Sequence, residues 1–173
     1  MSGASAPISL VLGGARSGKS AYAEKLIRAM PSPWLYCATA QALDDEMRDR
    51  IAHHRARRGE GWITLETPLD LAEALAAATH PILVDCLTLW LTNVVLTGRD
   101  VPAESAKLLA AAEVSKAPIV FVSNEVGLGI VPDNPLAREF RDHAGRLNQE
   151  VAKIASHVVF MAAGLPMILK EEL

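Results

Sequence analysis

The sequence predicts an α/β fold, a mainly parallel sheet flanked by helices. Three observations carry that expectation. Short apolar runs rich in strand formers alternate with helix-length segments along the chain. The first run breaks at a glycine-rich turn that leads directly into a helix. No repeat, low-complexity stretch or composition shift divides the 173 residues, so 1–173 reads as a single domain.

Ile8, Leu10, Val11 and Leu12 make the first strand, and it stops at Gly13-Gly14. Ala15, Arg16 and Ser17 follow, then Gly18-Lys19-Ser20. The whole is Gly-x-x-x-x-Gly-Lys-Ser, the phosphate-binding P-loop. Backbone N–H groups of such a loop turn inward around a nucleotide's phosphates, and its glycines allow close approach. Lys19 offers a positive charge to the β- and γ-phosphates, and the Ser20 hydroxyl is a ligand for Mg²⁺. The segment AYAEKLIRAM reads as a helix whose N-terminal dipole faces the same anion.

Pro31-Ser32-Pro33 ends that helix. A second strand is expected over 34–39, a polar helix over 43–58, and a third strand over 62–66. Thr67 as N-cap and Pro68 in the first turn open an alanine-rich helix to about Thr79. A buried strand over 81–85 leads to an apolar helix over 87–96, and Gly98-Arg99-Asp100 separates it from a helix over 102–115. Residues 119–123 form the next strand, VGLGIVPDNP is a loop, and 136–155 is the longest helix. A last core strand covers 158–161, with 167–169 pairing at an edge.

In such sheets, active groups gather at the carboxyl ends of the strands. Asp85 ends an apolar strand and reads either as a Mg²⁺ carboxylate partnering Ser20 or as the N-cap of the next helix. Glu66 ends the third strand, as a contact for a ribose hydroxyl or base edge, or as the start of a turn. Asn124 and Glu125 follow the strand ending at Ser123, where a carboxylate can activate a substrate hydroxyl or hold a metal's water shell. The loop over 127–135 is the candidate substrate contact by position.

His53 and His54 are adjacent on the expected polar helix. At 100° per residue, His54 shares the apolar face of Leu43, Met47 and Ile51. His53 points the other way, with Glu46, Asp49, Arg50 and Arg57, and is the working candidate of the pair. Arg55, Arg57 and Arg58 read either as a solvated helix end or as a clamp on a triphosphate. Arg138, Arg141 and Arg146 carry the same ambiguity, with a subunit interface as a third option.

A net charge of −3 gives no bulk reason to expect nucleic acid or an anionic membrane as partner. No apolar run approaches the ~18–20 residues that cross a bilayer. The opening MSGASAP lacks the parts of a signal peptide, and residues 1–6 are expected to be a disordered lead-in. Cys37 and Cys86 lie in apolar runs without metal-binding spacing, as buried free thiols of a cytoplasmic protein do.

Four segments together resemble one family: GGARSGKS at 13–20, YCATAQALDDEMRDRIAHHRARR at 36–58, VSNEVGLGIVP at 122–132 and LAREFRDHAGRLNQ at 136–149. They are similar to the bifunctional adenosylcobinamide kinase/adenosylcobinamide-phosphate guanylyltransferases of cobalamin biosynthesis. The resemblance implies a RecA-like P-loop NTPase fold, a homotrimer, and GTP and ATP as substrates with Mg²⁺ as cofactor. It implies phosphorylation of adenosylcobinamide, then GMP transfer from GTP to adenosylcobinamide phosphate through a guanylyl-histidine. The nucleophile maps onto His53. Nucleotide contacts map onto 13–20, onto Ala38, Thr39 and Ala40, onto His54, Arg55, Ala56 and Arg57, and onto Glu66 and Asp85. Ala40 stands where a serine is familiar, Asp85 where glutamate is also familiar, and the stretch between the Asp85 and Ile119 strands is short. A monofunctional small-molecule P-loop kinase is the alternative, with His53 on a helix surface.

Overall fold

The apolar runs form seven strands: β1 (Ile8–Gly13), β2 (Trp34–Ala38), β3 (Trp62–Glu66), β4 (Ile82–Asp85), β5 (Ile119–Asn124), β6 (His157–Ala162) and β7 (Leu165–Glu171). The helices are α1 (Lys19–Arg28), α2 (Leu71–Ala76), α3 (Leu87–Leu96), α4 (Val101–Val114) and α5 (Pro135–Ile154). This computed structural model describes residues 6–41, 45, 48, 49, 52, 56 and 58–172. Residues 45, 48, 49, 52, 56 and 58 have helical backbone, in line with the polar helix expected there.

One sheet takes all the strands, in the order β3-β2-β4-β5-β1-β6-β7. Its pairings are parallel except for the β6–β7 hairpin at the edge. Strand β5 lies between β1 and β4, so the loop after β1 and the carboxylate ending β4 face each other across one intervening strand. That is the RecA-like arrangement of a P-loop NTPase.

Period-two alternation divides the apolar residues between the sheet's two faces. Leu10, Leu35, Ile82, Val84, Ile119 and Phe121 pack with Leu75 of α2, Trp90 and Leu91 of α3, Leu108 of α4 and Leu147 of α5. Val11, Tyr36, Leu83, Val120, Val122 and Val159 pack with Ala23 and Ile27 of α1. Strands covered on both faces read as near-continuous apolar runs, as these do.

Two helix starts differ from the sequence reading. Helix α1 begins at Lys19, because Gly18 takes a left-handed conformation (φ 96°) and serves as its cap. Helix α2 begins at Leu71 with Asp70 at the N-cap, and Thr67 does not cap it. The cause is α3. Asn93 Nδ2 donates to the Pro68 carbonyl (2.9 Å) and Trp90 Nε1 to the Leu69 carbonyl (2.8 Å), holding 67–70 out of a helix. Helix α4 is capped by Asp100, whose carboxylate accepts the Ala103 N–H at 2.8 Å.

Candidate active site: a phosphate loop facing a held carboxylate

Two glycines shape the loop after β1. Gly13 has φ +152°, and a Cβ there would sit 2.6 Å from the Met161 carbonyl oxygen and 2.7 Å from Ser17 Oγ. Gly18 has φ +96°, a region costly for any other residue, and lies against Gly164 in the β6–β7 turn. The Gly164 N–H donates to the Ser17 carbonyl at 3.0 Å, bracing the loop from the hairpin. Ala15 and Arg16 form the exposed crown, while Gly14 is half-buried. Lys19 is buried, and its ammonium donates to the Gly14 carbonyl at 2.5 Å across the loop's concavity. Ser17 Oγ is buried with no hydrogen-bond partner, inside a loop whose N–H groups are suited to oxygen anions.

Across the sheet, the Asp85 side chain turns toward this loop. Cys86, not Asp85, occupies the N-cap of α3, which removes the helix-cap reading. Ser20 Oγ lies 3.5 Å from Asp85 Oδ2, and the Tyr36 hydroxyl donates to the same oxygen at 2.8 Å. Burial first, then the charge of Asp85, pushes the Tyr36 hydroxyl well above its usual range, so it stays a donor. Over the other side of that ring sits the Arg58 guanidinium, 3.5 Å from the centroid, with the Trp62 ring at its edge. Both Tyr36 and Arg58 are 5% exposed.

A hydroxyl and a carboxylate beside a phosphate loop are hard oxygen donors suited to Mg²⁺, which takes few protein ligands and completes its shell with water and phosphate. Among the described residues no group of three or more His, Cys, Asp and Glu could hold a metal by itself. A metal at Ser20 and Asp85 is therefore one that a bound nucleotide would complete.

The remaining expected residues divide. Ala38 and Ala40 are half-buried at the carboxyl end of β2, beside the Asp85 end of β4. Thr39 departs from the expectation of a nucleotide contact. It is fully buried, its hydroxyl donates to the Cys86 carbonyl (2.9 Å) and accepts the Cys86 N–H (2.8 Å), and its own carbonyl accepts from Asn93. Its groups are spent in fastening β2 to the turn after Asp85. Glu66 is exposed at the end of β3, paired in register with Ala38.

Asn124 lies beside Gly13 in the β1–β5 register, and its Nδ2 is 3.9 Å from Cys86 Sγ. Glu125 folds back on its own turn and accepts the Gly127 N–H at 2.5 Å. Arg138 donates to the Pro132 and Asp133 carbonyls, closing the loop before α5. Ala56 is exposed on helical backbone, and His53, His54, Arg55 and Arg57 lie outside the described residues. Arg58 is neither a solvated helix end nor a phosphate clamp here. It is packed on Tyr36, and its carbonyl accepts from Arg28 Nη2 at 2.6 Å.

Sequence reading missed Tyr36, whose place in an apolar run makes it look like a strand former only. Its alternation with Leu35 and Cys37 places it on the α1 face, the one available signal. A buried polar group of Thr88, Ser123 and Asn148, set around the Asn124 backbone, was missed as well. Ser123 Oγ donates to Asn148 Oδ1 (2.7 Å) and Thr88 Oγ1 accepts the Asn124 N–H (2.8 Å), tying α3 and α5 to the end of β5.

Residues 9–169 match the sequence model of a family described as cobinamide kinase / cobinamide phosphate guanyltransferase. The chain is 50% identical over 168 residues to the bifunctional adenosylcobalamin biosynthesis protein CobP of Pseudomonas aeruginosa, covering 94% of this chain and 97% of that one. It is 44% identical to the corresponding protein CobU of Escherichia coli K12, over 93% and 98% of the two chains. Among solved structures, it superposes on the flagellar accessory protein FlaH of Methanocaldococcus jannaschii (TM-score 0.52, 12% identity, 96% of this chain and 79% of that one). A protein of Pyrococcus horikoshii OT3 gives TM-score 0.54 at 11% identity, over 96% and 87%. These two likenesses concern the fold alone.

Proposed function

Because the chain belongs to the cobinamide kinase / cobinamide phosphate guanyltransferase family, we propose that it carries out both reactions of that name on adenosylcobinamide. In the first, the γ-phosphate of a nucleoside triphosphate passes to the aminopropanol hydroxyl of adenosylcobinamide. In the second, GMP passes from GTP to the phosphate so formed, giving adenosylcobinamide-GDP and pyrophosphate. The observation that carries this reading is the full-length match, together with a phosphate loop whose Ser20 faces Asp85 at 3.5 Å.

Loop 13–20 seats the triphosphate in both reactions. Lys19, already inside the loop, exchanges the Gly14 carbonyl for phosphate oxygens when nucleotide enters. Ser20 and Asp85 are the residues that would hold Mg²⁺; when bound, it neutralises phosphate charge as that charge moves to the leaving group. Ala38, Ala40, Ala56 and Glu66 fall to the nucleotide's outer contacts in this reading, and Asn124 and Glu125 to the corrinoid side. His54, Arg55 and Arg57 belong with the nucleotide by the same resemblance.

Guanylyl transfer needs a protein nucleophile, and we assign His53. Its neutral imidazole nitrogen attacks the α-phosphorus, forming an N–P bond as the bond to the bridging β-oxygen breaks and pyrophosphate departs. A phosphate oxygen of adenosylcobinamide phosphate then attacks the same phosphorus and releases His53. Splitting the transfer in two spares the site from aligning GTP and a phosphorylated corrinoid at once.

The buried free thiols of Cys37 and Cys86 support a cytoplasmic setting, and no helix among the described residues is long and apolar enough to cross a membrane. Assembly as a homotrimer belongs to the same reading, supported by exposed Leu96, Leu128, Ile130 and Leu136. The deciding experiment incubates the protein with α-labelled GTP and maps the label that survives denaturation. Label on His53, lost in His53→Asn while adenosylcobinamide phosphorylation persists, is expected. Label elsewhere removes the His53 assignment, and an unlabelled protein leaves the site with phosphoryl transfer alone.

A further inference from the structure

Tyr36 touches two parts of the molecule that the proposed reactions need and that are distant in sequence. Its hydroxyl donates to Asp85 Oδ2 at 2.8 Å, the same oxygen that lies 3.5 Å from Ser20 Oγ. Its ring carries the Arg58 guanidinium at 3.5 Å, and Arg58 has helical backbone, as residues 52 and 56 do, and follows His53 closely in the sequence. Arg58 is held a second time, through its carbonyl, by Arg28 of α1.

A carboxylate at a strand end can turn about its last side-chain bond unless something fixes it. A buried phenol does so, with only two side-chain torsions and, in Tyr36, a guanidinium packed on the ring. An arginine stacked on that phenol is fixed as a flat ion rather than as a point charge, a role lysine fills poorly. We propose that Tyr36 is a positioning residue: its hydroxyl aims the Asp85 carboxylate at the Ser20 side of the phosphate loop, and its ring seats Arg58, which follows His53 closely in the sequence. This inference rests on the function proposed above. It adds the element that links the metal-binding carboxylate to the nucleophile's segment.

The two halves separate by substitution. Tyr36→Phe keeps the ring and removes one oxygen. Arg58→Lys keeps the charge and loses the stacked plane. The full-length protein is titrated with GTP at a series of Mg²⁺ concentrations, affinity being read by calorimetry, so that no turnover is required. In Tyr36→Phe, the Mg²⁺ concentration for half-maximal GTP affinity should rise roughly tenfold, the effect of one hydrogen bond to a charged group, while GTP affinity without Mg²⁺ stays within about twofold. In Arg58→Lys, the Mg²⁺ midpoint should stay put, while formation of the labelled adduct slows at least tenfold. Melting curves without ligand confirm that both variants fold, and tryptophan emission, to which Trp34 and Trp62 beside Tyr36 contribute, reports whether the ring cluster is intact.

An unchanged Mg²⁺ midpoint in Tyr36→Phe overturns the role of the hydroxyl. A wild-type adduct rate in Arg58→Lys overturns the role of the ring. If even the unaltered protein forms no adduct, the guanylyl-transfer reading fails, and the Mg²⁺ midpoint, measured by binding alone, still decides the link from Tyr36 to Asp85.

Discussion

Replacing Gly13 by alanine tests whether the phosphate loop is held by contact or merely contains flexible residues. The added methyl would meet the Met161 carbonyl at 2.6 Å, Ser17 Oγ at 2.7 Å and Met161 Cβ at 3.2 Å. The first of these is backbone, fixed by the pairing of Gly13 with Met161 between β1 and β6, and cannot rotate away. The strand end must move instead. Overpacking of this kind costs about 1–3 kcal/mol, which for a chain of this length lowers the melting temperature by roughly 2–4 °C per kcal/mol. Displacement of the loop should also abolish stabilisation by GTP, about 2.7 kcal/mol for the wild type at a hundredfold excess over Kd, and with it the rise in melting temperature. Gly14→Ala is the internal control. Nothing lies within 4 Å of a Cβ there, so without ligand its stability should stay within about 0.5 kcal/mol of wild type. Thermal melts with and without GTP measure both. A Gly13→Ala protein that melts and responds to GTP like wild type, or a Gly14→Ala protein equally destabilised, would refute the contact argument.

Lys19→Ala should suppress both half-reactions together, by roughly 30- to 1000-fold for about 2–4 kcal/mol of lost phosphate stabilisation; near-normal phosphorylation in steady-state assays would separate the kinase site from this loop. Asp85→Asn should weaken Mg²⁺-dependent turnover more than GTP binding, as kinetics and calorimetry on the same variant will show. Cys37 supplies a pH test. Burial raises its thiol to about 11, so the folded chain keeps a proton that the unfolded chain loses from about pH 9. Stability is then unaffected below pH 9 and falls as pH rises toward 11, by on the order of 2–3 kcal/mol. The difference in urea midpoint between wild type and Cys37→Ala, followed from pH 8 to pH 11, isolates that fall; parallel curves would show that the thiol is not held neutral.

Much of the scaffold was legible because local signals and packing agree. The strand Trp62–Glu66 and the helix Leu87–Leu96 begin and end where composition places them. The phosphate loop was equally plain, since its conformation is written in residues next to one another. Thr67-Pro68 shows the limit: a sound capping signal lost to Asn93 and Trp90, whose partners are decided by how α3 packs. Asp85 could be placed at a strand end, but the helix-cap reading fell only when Cys86 was seen to occupy the cap. Arg58, in a run of charges, read equally as a solvated helix end or a phosphate clamp, and only the fold lays it on Tyr36. Tyr36 was missed for the same reason: its meaning lies in residues 85 and 58, remote along the chain.

The phosphate loop leans on segments synthesised long after it. Strand β1 has no sequential neighbour in the sheet; its partners are residues 119–124 and 157–162, and the Gly164 N–H secures the Ser17 carbonyl. Contacts so remote in sequence are slow to close and leave apolar strand edges bare while they form. A nascent chain that has not reached the β6–β7 turn therefore carries the whole Gly-Lys-Ser signature without the Gly164 brace on its Ser17 carbonyl. Competence for nucleotide arrives with the β6–β7 hairpin, and a deletion there acts on the loop at residues 13–20.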